Sequence, residues 1–254
     1  MNGVSAAERL LMQLGVLGAQ DIDLEAIAWH LGAAVKYRHM DAADGTIVGS
    51  PKRAIISINR STIPTRQRFT LGHEIGHWHH HRGRLLFCTP TDVGNFTGGP
   101  LDPERQADAF ASDLILPRYL VRPKILKLKK PTLTFAHEIA DEFRASMTAT
   151  LIKILNEDFF PILLVCHGKY GRHWFRRTNM VPQWWFPRED LDVQTFAFEI
   201  LHNGGGEDTF PRKNGAGAWF DFKNVDRYEI HEQSFALPNE EVLTILTIPS
   251  EGLE

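Results

Sequence analysis

Apolar positions in the first thirty residues recur at helical spacing. Leu10, Leu11 and Leu14 follow Ser5-Ala-Ala-Glu8, in which Ser and Glu stand three apart as in a capping box. "DLEAIAWHLG" predicts a second helix, with Asp23 as cap and Gly32 as stop. The period then shortens. "AAVKYRHM", "TIVGS" and "RAIISIN" predict three short strands separated by the turn chemistry of "DAADG" and "SPK". A further helix is predicted to begin after Pro64 and to run into "RFTLGHEIGHWHHHRGR", residues 68–84.

From Gly83 to Asp102 the chain is a Gly/Pro/Thr-rich loop, of a length at which loops are usually functional or disordered. "PERQADAFASDLILP" predicts a helix, with Pro103 suited to its first turn and Pro117 ending it. The basic stretch "RPKILKLKKP" is expected to be a connector. "TFAHEIADEF" and "MTATLIKILNE" then predict two helices around a short break. After Pro161 aromatic and β-branched residues dominate. "ILLVCH" and "RHWFRRT" predict a hairpin across "GKYG", and "TFAFEIL", "GAWFDF", "YEIHEQSF" and "VLTILTI" predict further strands. The expected class is α+β, with parts at residues 1–121, 122–158 and 159–254.

Composition narrows the setting. The 254 residues are 43% hydrophobic and 23% charged, ordinary for a globular protein, and the formal charge of −3 leaves no global basic footprint for nucleic acid. Two cysteines, Cys88 and Cys166, are too few for a disulfide framework and fit a reducing compartment. No basic leader precedes a long apolar run, and no window approaches the ~20 apolar residues that span a bilayer. The expectation is a soluble cytoplasmic protein without a membrane partner.

Five of the twelve histidines crowd into residues 73–81. His73 and His77 stand at i and i+4 in an H-E-x-x-H pattern, so on a helix both imidazoles reach one ion. Zinc suits such a pair, with manganese as the alternative ion, and a catalytic site adds a third protein ligand. Glu74 projects beside the pair and is the candidate base for a water that the ion acidifies. Chance placement alone gives about 0.035 such patterns in a chain of this composition, which leaves room for a merely polar, imidazole-rich helix face. The next helix bears on that choice. His77 is not followed by the third-histidine pattern of one zinc subclass, whereas Glu104 begins a second helix and can supply the third ligand. Asp108, one turn on, can bond the far nitrogen of a ligand histidine. Taken singly, Glu104 is also explained as an acid at a helix start and Asp108 as a solvated side chain.

The other candidates are weaker. His80 lies one turn beyond the pair and is expected near the rim of the site, whereas His79 and His81 are expected on the surface. Tyr119, Arg118 and His80 are the candidates for stabilising an oxyanion, and Cys88 in the long loop is a candidate for gating or for an open metal position. "RAIISIN" is the expected exposed edge for a substrate strand. Trp174, Phe175, Trp184, Trp185 and Phe186 form an aromatic cluster that either packs a core or lines a pocket.

"RFTLGHEIGHWHHHRGR" and the E-x-x-A-x-x-F-A-x-x-L-x-x-P spacing of "ERQADAFASDLILP" resemble the ImmA/IrrE metallopeptidases, as does "ISIN" before an Arg-rich helix start. The resemblance covers residues 20–120 most specifically. It implies a gluzincin-like, zincin-type N-terminal domain with a small mixed sheet, in which His73, His77 and Glu104 hold zinc and Glu74 is the base. It implies a helix-turn-helix-like hairpin at 134–156 and a variable, β-rich C-terminal region, GAF-like in some members. The implied substrate is a helix-turn-helix transcriptional repressor, whose cleavage releases stress-response or mobile-element genes. Direct nucleic-acid binding is not expected, because "MTATLIKILNE" offers only Lys153 where a recognition helix needs several polar or basic side chains. The rival reading is a non-catalytic zinc-containing regulator that binds a partner.

Overall fold

Alternating apolar residues build the first sheet. β1 (Ala33–Arg38), β2 (Gly45–Ser50) and β3 (Arg53–Asn59) take the order β1-β3-β2, with β1 parallel and β2 antiparallel to β3. The computed structural model describes residues 3–80, 102–204, 206–208 and 210–253. The expectation that "RAIISIN" is an open edge is corrected: β3 is paired on both sides, and among the described residues the free edges belong to β1 and β2. The physical reason lies in composition. β3 carries the most branched apolar side chains of the three strands, and Ile56 and Ile58 are fully buried.

Helices cover this sheet as the capping residues dictate. In α1 (Ala6–Gln13) the capping box forms in both directions, Ser5 N–H to Glu8 Oε2 at 3.1 Å and Glu8 N–H to Ser5 Oγ at 3.2 Å. Asp23 caps α2 (Leu24–His30) through the Ala26 N–H, and Gly32, at φ +88°, turns the chain out of it. α3 (Pro64–His80) carries the histidine motif, and α4 (Pro103–Ile115) starts at an Asp102 cap. α3 and α4 pack closely because their facing residues are small. A methyl group at Gly72 would stand 3.2 Å from the Ala111 Cβ, and one at Gly76 would stand 3.0 Å from the Ala107 Cα. α5 (Arg118–Ile125) takes in the first part of the expected connector, with Pro123 inside it.

The chain divides into two compact units, Met1–Lys124 with Ile139–Ser146, and Ile125–Glu138 with Met147–Glu254. The helical hairpin, α6 (Leu133–Phe143) and α7 (Met147–Asn156), forms where its apolar period predicts. Lys153 of α7 is buried along with Thr150, Leu151, Ile154 and Leu155, so the basic residue of that helix does not face solvent.

The second unit holds a five-stranded sheet in the order β5-β4-β8-β7-β6. Its strands are β4 (Ile162–Gly168), β5 (Gly171–Arg177), β6 (Arg212–Gly215), β7 (Glu229–Leu237) and β8 (Glu241–Thr247). Every residue of β4 is buried. Two sequence expectations are corrected here. "TFAFEIL" is helical, α8 (Phe196–Asn203), because Thr195 accepts the Phe198 N–H at 3.1 Å and Ala197 and Ile200 share a buried face. "GAWFDF" begins in a 3-10 turn, Ala216–Ala218, that buries the consecutive Trp219 and Phe220, whereas a strand sends neighbours to opposite faces. The aromatic cluster also divides: Trp185 is fully buried and donates to the Gly252 carbonyl, whereas Trp184 and Phe186 are more than half exposed. No helix among the described residues is long and apolar enough to cross a membrane.

Gly76→Val is expected to cost about 1–3 kcal/mol of stability by overpacking α3 against α4, and to weaken metal binding because the second helix is pushed back. Denaturant unfolding and a metal titration read both effects. Unchanged values would mean that the helices tolerate a wider separation.

Candidate metal centre

Helical spacing on α3 and the approach of α4 bring three donor groups to one point. His73 Nε2 and His77 Nε2 are 2.9 Å apart, and the Glu104 carboxylate stands 3.2 Å from the first and 3.3 Å from the second. Both imidazoles are buried. His73 Nδ1 donates to Asp108 Oδ1 at 2.7 Å, which leaves a lone pair on Nε2 of the neutral ring facing the cluster. The sequence-derived positions His73, His77, Glu104 and Asp108 are thus brought together.

The donor set suits a divalent cation. Zinc–ligand bonds of about 2.0–2.1 Å in a tetrahedron separate the ligand atoms by roughly 3.3 Å, close to the spacings seen. Two imidazole lone pairs and a carboxylate facing one another repel unless a proton or a metal lies between them. Although partly desolvated, Glu104 is held well below the usual carboxylate range by the adjacent His73 and His77 rings. It therefore presents charge to the cluster at neutral pH. Nitrogen and oxygen donors fit zinc and do not by themselves select among first-row ions.

Glu74 lies beside the cluster with no exposed surface. Burial pushes its carboxyl up to about 7, with His73 opposing and Glu104 adding to the shift. Neither carboxylate oxygen has a hydrogen-bond partner among the described residues, nor has the Thr70 hydroxyl one turn earlier. A buried carboxyl left in this way is costly structurally and suited to exchanging a proton with something that enters.

The sequence reading missed Gly45. It opens the edge strand β2 directly beside Glu74, where an added Cβ would lie 2.8 Å from Glu74 Oε1 and 2.5 Å from Thr70 Cγ2. A polar clamp holds that approach. Asn59 donates to the carbonyls of Met40 and Ala43, its own N–H bonds the Asp44 carbonyl, and Arg66 of α3 pairs with Asp44 at 2.8 Å. The glycine of "DAADG" reads as a turn signal, and nothing local marks its closeness to Glu74.

Other candidates fall elsewhere. The Tyr119 hydroxyl donates to the Val16 carbonyl at 2.9 Å and its N–H to Glu8, so this residue ties α5 to α1. His79 stacks on Phe110 at 5.0 Å between ring centres, and His80 meets the same ring edge-on at 5.4 Å. His81 and Cys88 lie outside the described residues. In the second unit Cys166, His173 and Glu241 place one donor atom each within 4.8 Å of the others. There burial pushes the Cys166 thiol up to about 12, and Glu241 already accepts from His173 at 2.8 Å.

A family model described as the IrrE N-terminal-like domain, Peptidase_M78, matches residues 28–155. That span holds the three donors, Glu74 and Asp108. No curated protein matches the sequence. Among solved structures, a Mycobacterium tuberculosis transcriptional regulator superposes with a TM-score of 0.59 at 12% identity, over 97% of this chain and 88% of that one. At that identity the likeness is one of fold.

Asp108→Ala is expected to weaken metal affinity roughly 10–100-fold, because the His73 ring loses the acceptor that sets its tautomer and orientation. Competition with a chromophoric chelator measures it, and an unchanged affinity would assign Asp108 no part in the site.

Proposed function

The chain belongs to the IrrE N-terminal-like (Peptidase_M78) family, and we propose that it is a metal-dependent endopeptidase that makes a selective cut in a protein substrate. The observation that carries this reading is the buried Glu74, without a hydrogen-bond partner among the described residues, between a His-His-Glu donor cluster and the start of a sheet edge. A purely structural metal would need the three donors but not an uncompensated carboxyl at their side.

His73, His77 and Glu104 would hold the ion, with zinc the proposed metal and Asp108 orienting the first ring. A bound divalent ion supplies Lewis acidity to the scissile carbonyl and to the attacking water. The substrate backbone pairs with the free edge of β2, which leads it past Gly45 and lays the scissile bond beside Glu74. Glu74 takes a proton from the attacking water and returns it to the departing amine nitrogen. A carboxyl raised by burial is well matched to both tasks near neutral pH. The absence of a Cβ at residue 45 lets backbone and carboxylate approach together.

The proposed substrate is a DNA-binding repressor of the helix-turn-helix class, and the proposed setting is the cytoplasm. Two things support this choice. The motifs of α3 and α4 resemble peptidases associated with such repressors, and the fold matches a chain named as a transcriptional regulator. The buried face of α7 favours action on a regulator protein over direct reading of DNA.

Glu74→Gln is expected to keep its metal and lose at least about 100-fold in cleavage rate. New protein N-termini in cells expressing wild type but not this variant would identify the substrate. A biological effect retained by Glu74→Gln would instead establish a non-catalytic regulator. Gly45→Ala is expected to lower kcat about tenfold or more with metal content unchanged, since its methyl group displaces Glu74. Wild-type kcat in this variant would remove β2 from the mechanism.

A further inference from the structure

A second face of α3 carries a different kind of site. Pro64, Gln67, Arg68 and Leu71 line a cavity of about 270 Å³, closed by Glu25, Tyr37 and Arg144. All of these residues belong to the first unit. Two guanidinium groups meet here without a carboxylate to receive them among the described residues. Arg68 and Arg144 each donate through Nη2 to the same acceptor, the Ile22 carbonyl, at 3.2 Å. A single neutral oxygen is a poor counterpart for two cations. Arg68 Nε is buried with no hydrogen-bond partner among the described residues. Burial and the adjacent Arg144 pull the Arg68 guanidinium down to about 10.

The backbone sharpens the point. Arg144 ends α6 in the left-handed region, at φ +53°. Its N–H bonds the Asp141 carbonyl, and the Ala145 N–H bonds the Ala140 carbonyl, the paired bonds of a Schellman cap. Glycine is the residue that takes this position without strain. An arginine here accepts steric strain and like-charge repulsion together, and the Ile22 contact offsets neither. Glu25 shares the cavity wall, but its carboxylate already accepts the Tyr37 hydroxyl at 2.5 Å. The lining side chains carry two positive charges and one negative, and Asp23 just outside the wall, which already accepts the Ala26 N–H, adds a second carboxylate charge to the field at Arg68.

We propose that this cavity binds a small ligand through an oxyanion group, a carboxylate or a phosphate, received by Arg68 and Arg144. The planar forks of two guanidiniums suit such a group, and the buried Nε of Arg68, unpartnered among the described residues, is an in-plane second donor for it. Pro64 keeps the first turn of α3 in place beside them, and the Glu25–Tyr37 pair offers a hydrogen-bonding wall opposite. The site is separate from the metal centre and independent of the proposed peptidase activity.

The test is thermal unfolding of the full metal-loaded chain, titrated with inorganic phosphate or with acetate against chloride at constant ionic strength. The wild type is expected to be stabilised with a millimolar dissociation constant for one of these anions. A phosphate response assigns a phosphate ligand, and an acetate response a carboxylate. Arg144→Gly relieves the left-handed strain, so without anion it is expected to melt at the wild-type temperature or above, while binding the anion at least tenfold more weakly. Arg68→Gln is expected to show the same loss. Anions held at the metal centre would act equally on all three proteins and are thereby separated. The proposal is overturned if neither anion stabilises the wild type, or if Arg144→Gly responds to the anion as the wild type does.

Discussion

The close approach of α3 and α4 is the constraint on which the candidate metal centre depends. Gly72 and Gly76 on one helix face Ala107 and Ala111 on the other, at separations that leave no room for a methyl group without adjustment. This brings the second helix near enough for Glu104 to reach both imidazoles and for Asp108 to bond the back of His73. Side chains of ordinary size would hold the axes farther apart, and short carboxylates could not close that gap. The small residues therefore do not merely fill the core; they set the reach of the ligands.

Around that contact the protein keeps several polar groups out of water. Two histidines and Glu74 are fully buried in one neighbourhood, and Glu104 is partly so. Burial without compensation costs free energy, which a divalent ion bound to the cluster would return. The same burial gives Glu74 a proton affinity near neutrality. Stability and chemistry are thus set by one arrangement. The edge strand completes it, since Gly45 reaches Glu74 only because Asn59, Asp44 and Arg66 fix the turn before β2.

The C-terminal unit answers to a different logic. Its sheet is antiparallel throughout, with a core of Trp185, Trp219 and Phe220 against β4 and β8. The buried Glu232 is compensated by protein donors, the Ala197 N–H, the Asn214 amide and the Trp219 indole, each near 2.9 Å, with the Ser234 hydroxyl at 3.4 Å. Glu74 has no such set of donors. The contrast separates a carboxyl that organises a core from one that burial leaves without protein donors among the described residues.

How much of this was legible in the sequence follows from the range of each interaction. The helices announced themselves by local signals: Ser5 with Glu8, Asp23, Pro64 and Pro103 act within a turn of where they stand. The i, i+4 spacing of His73 and His77, with Glu104 and Asp108 on the next helix, was enough to group the site, because helical geometry relates residues without knowledge of the fold. Three things were not local. "TFAFEIL" alternates as a strand would, and its helix exists because Thr195 caps it and the sheet takes its Ala197–Ile200 face. "RAIISIN" looks like any short apolar strand, and only pairing with both neighbours made it central and left β2 as an edge. Gly45 beside Glu74, and Arg68 beside Arg144, are neighbours far apart in the chain. By itself, then, the sequence determined the capped helices of the first unit and which side chains can share a metal, since both depend on spacing of a few residues. Tertiary structure alone decided which strands lie at the sheet's edges among the described residues, what stands beside Glu74, and where two arginines meet, because each is a contact between segments whose separation along the chain carries no signal.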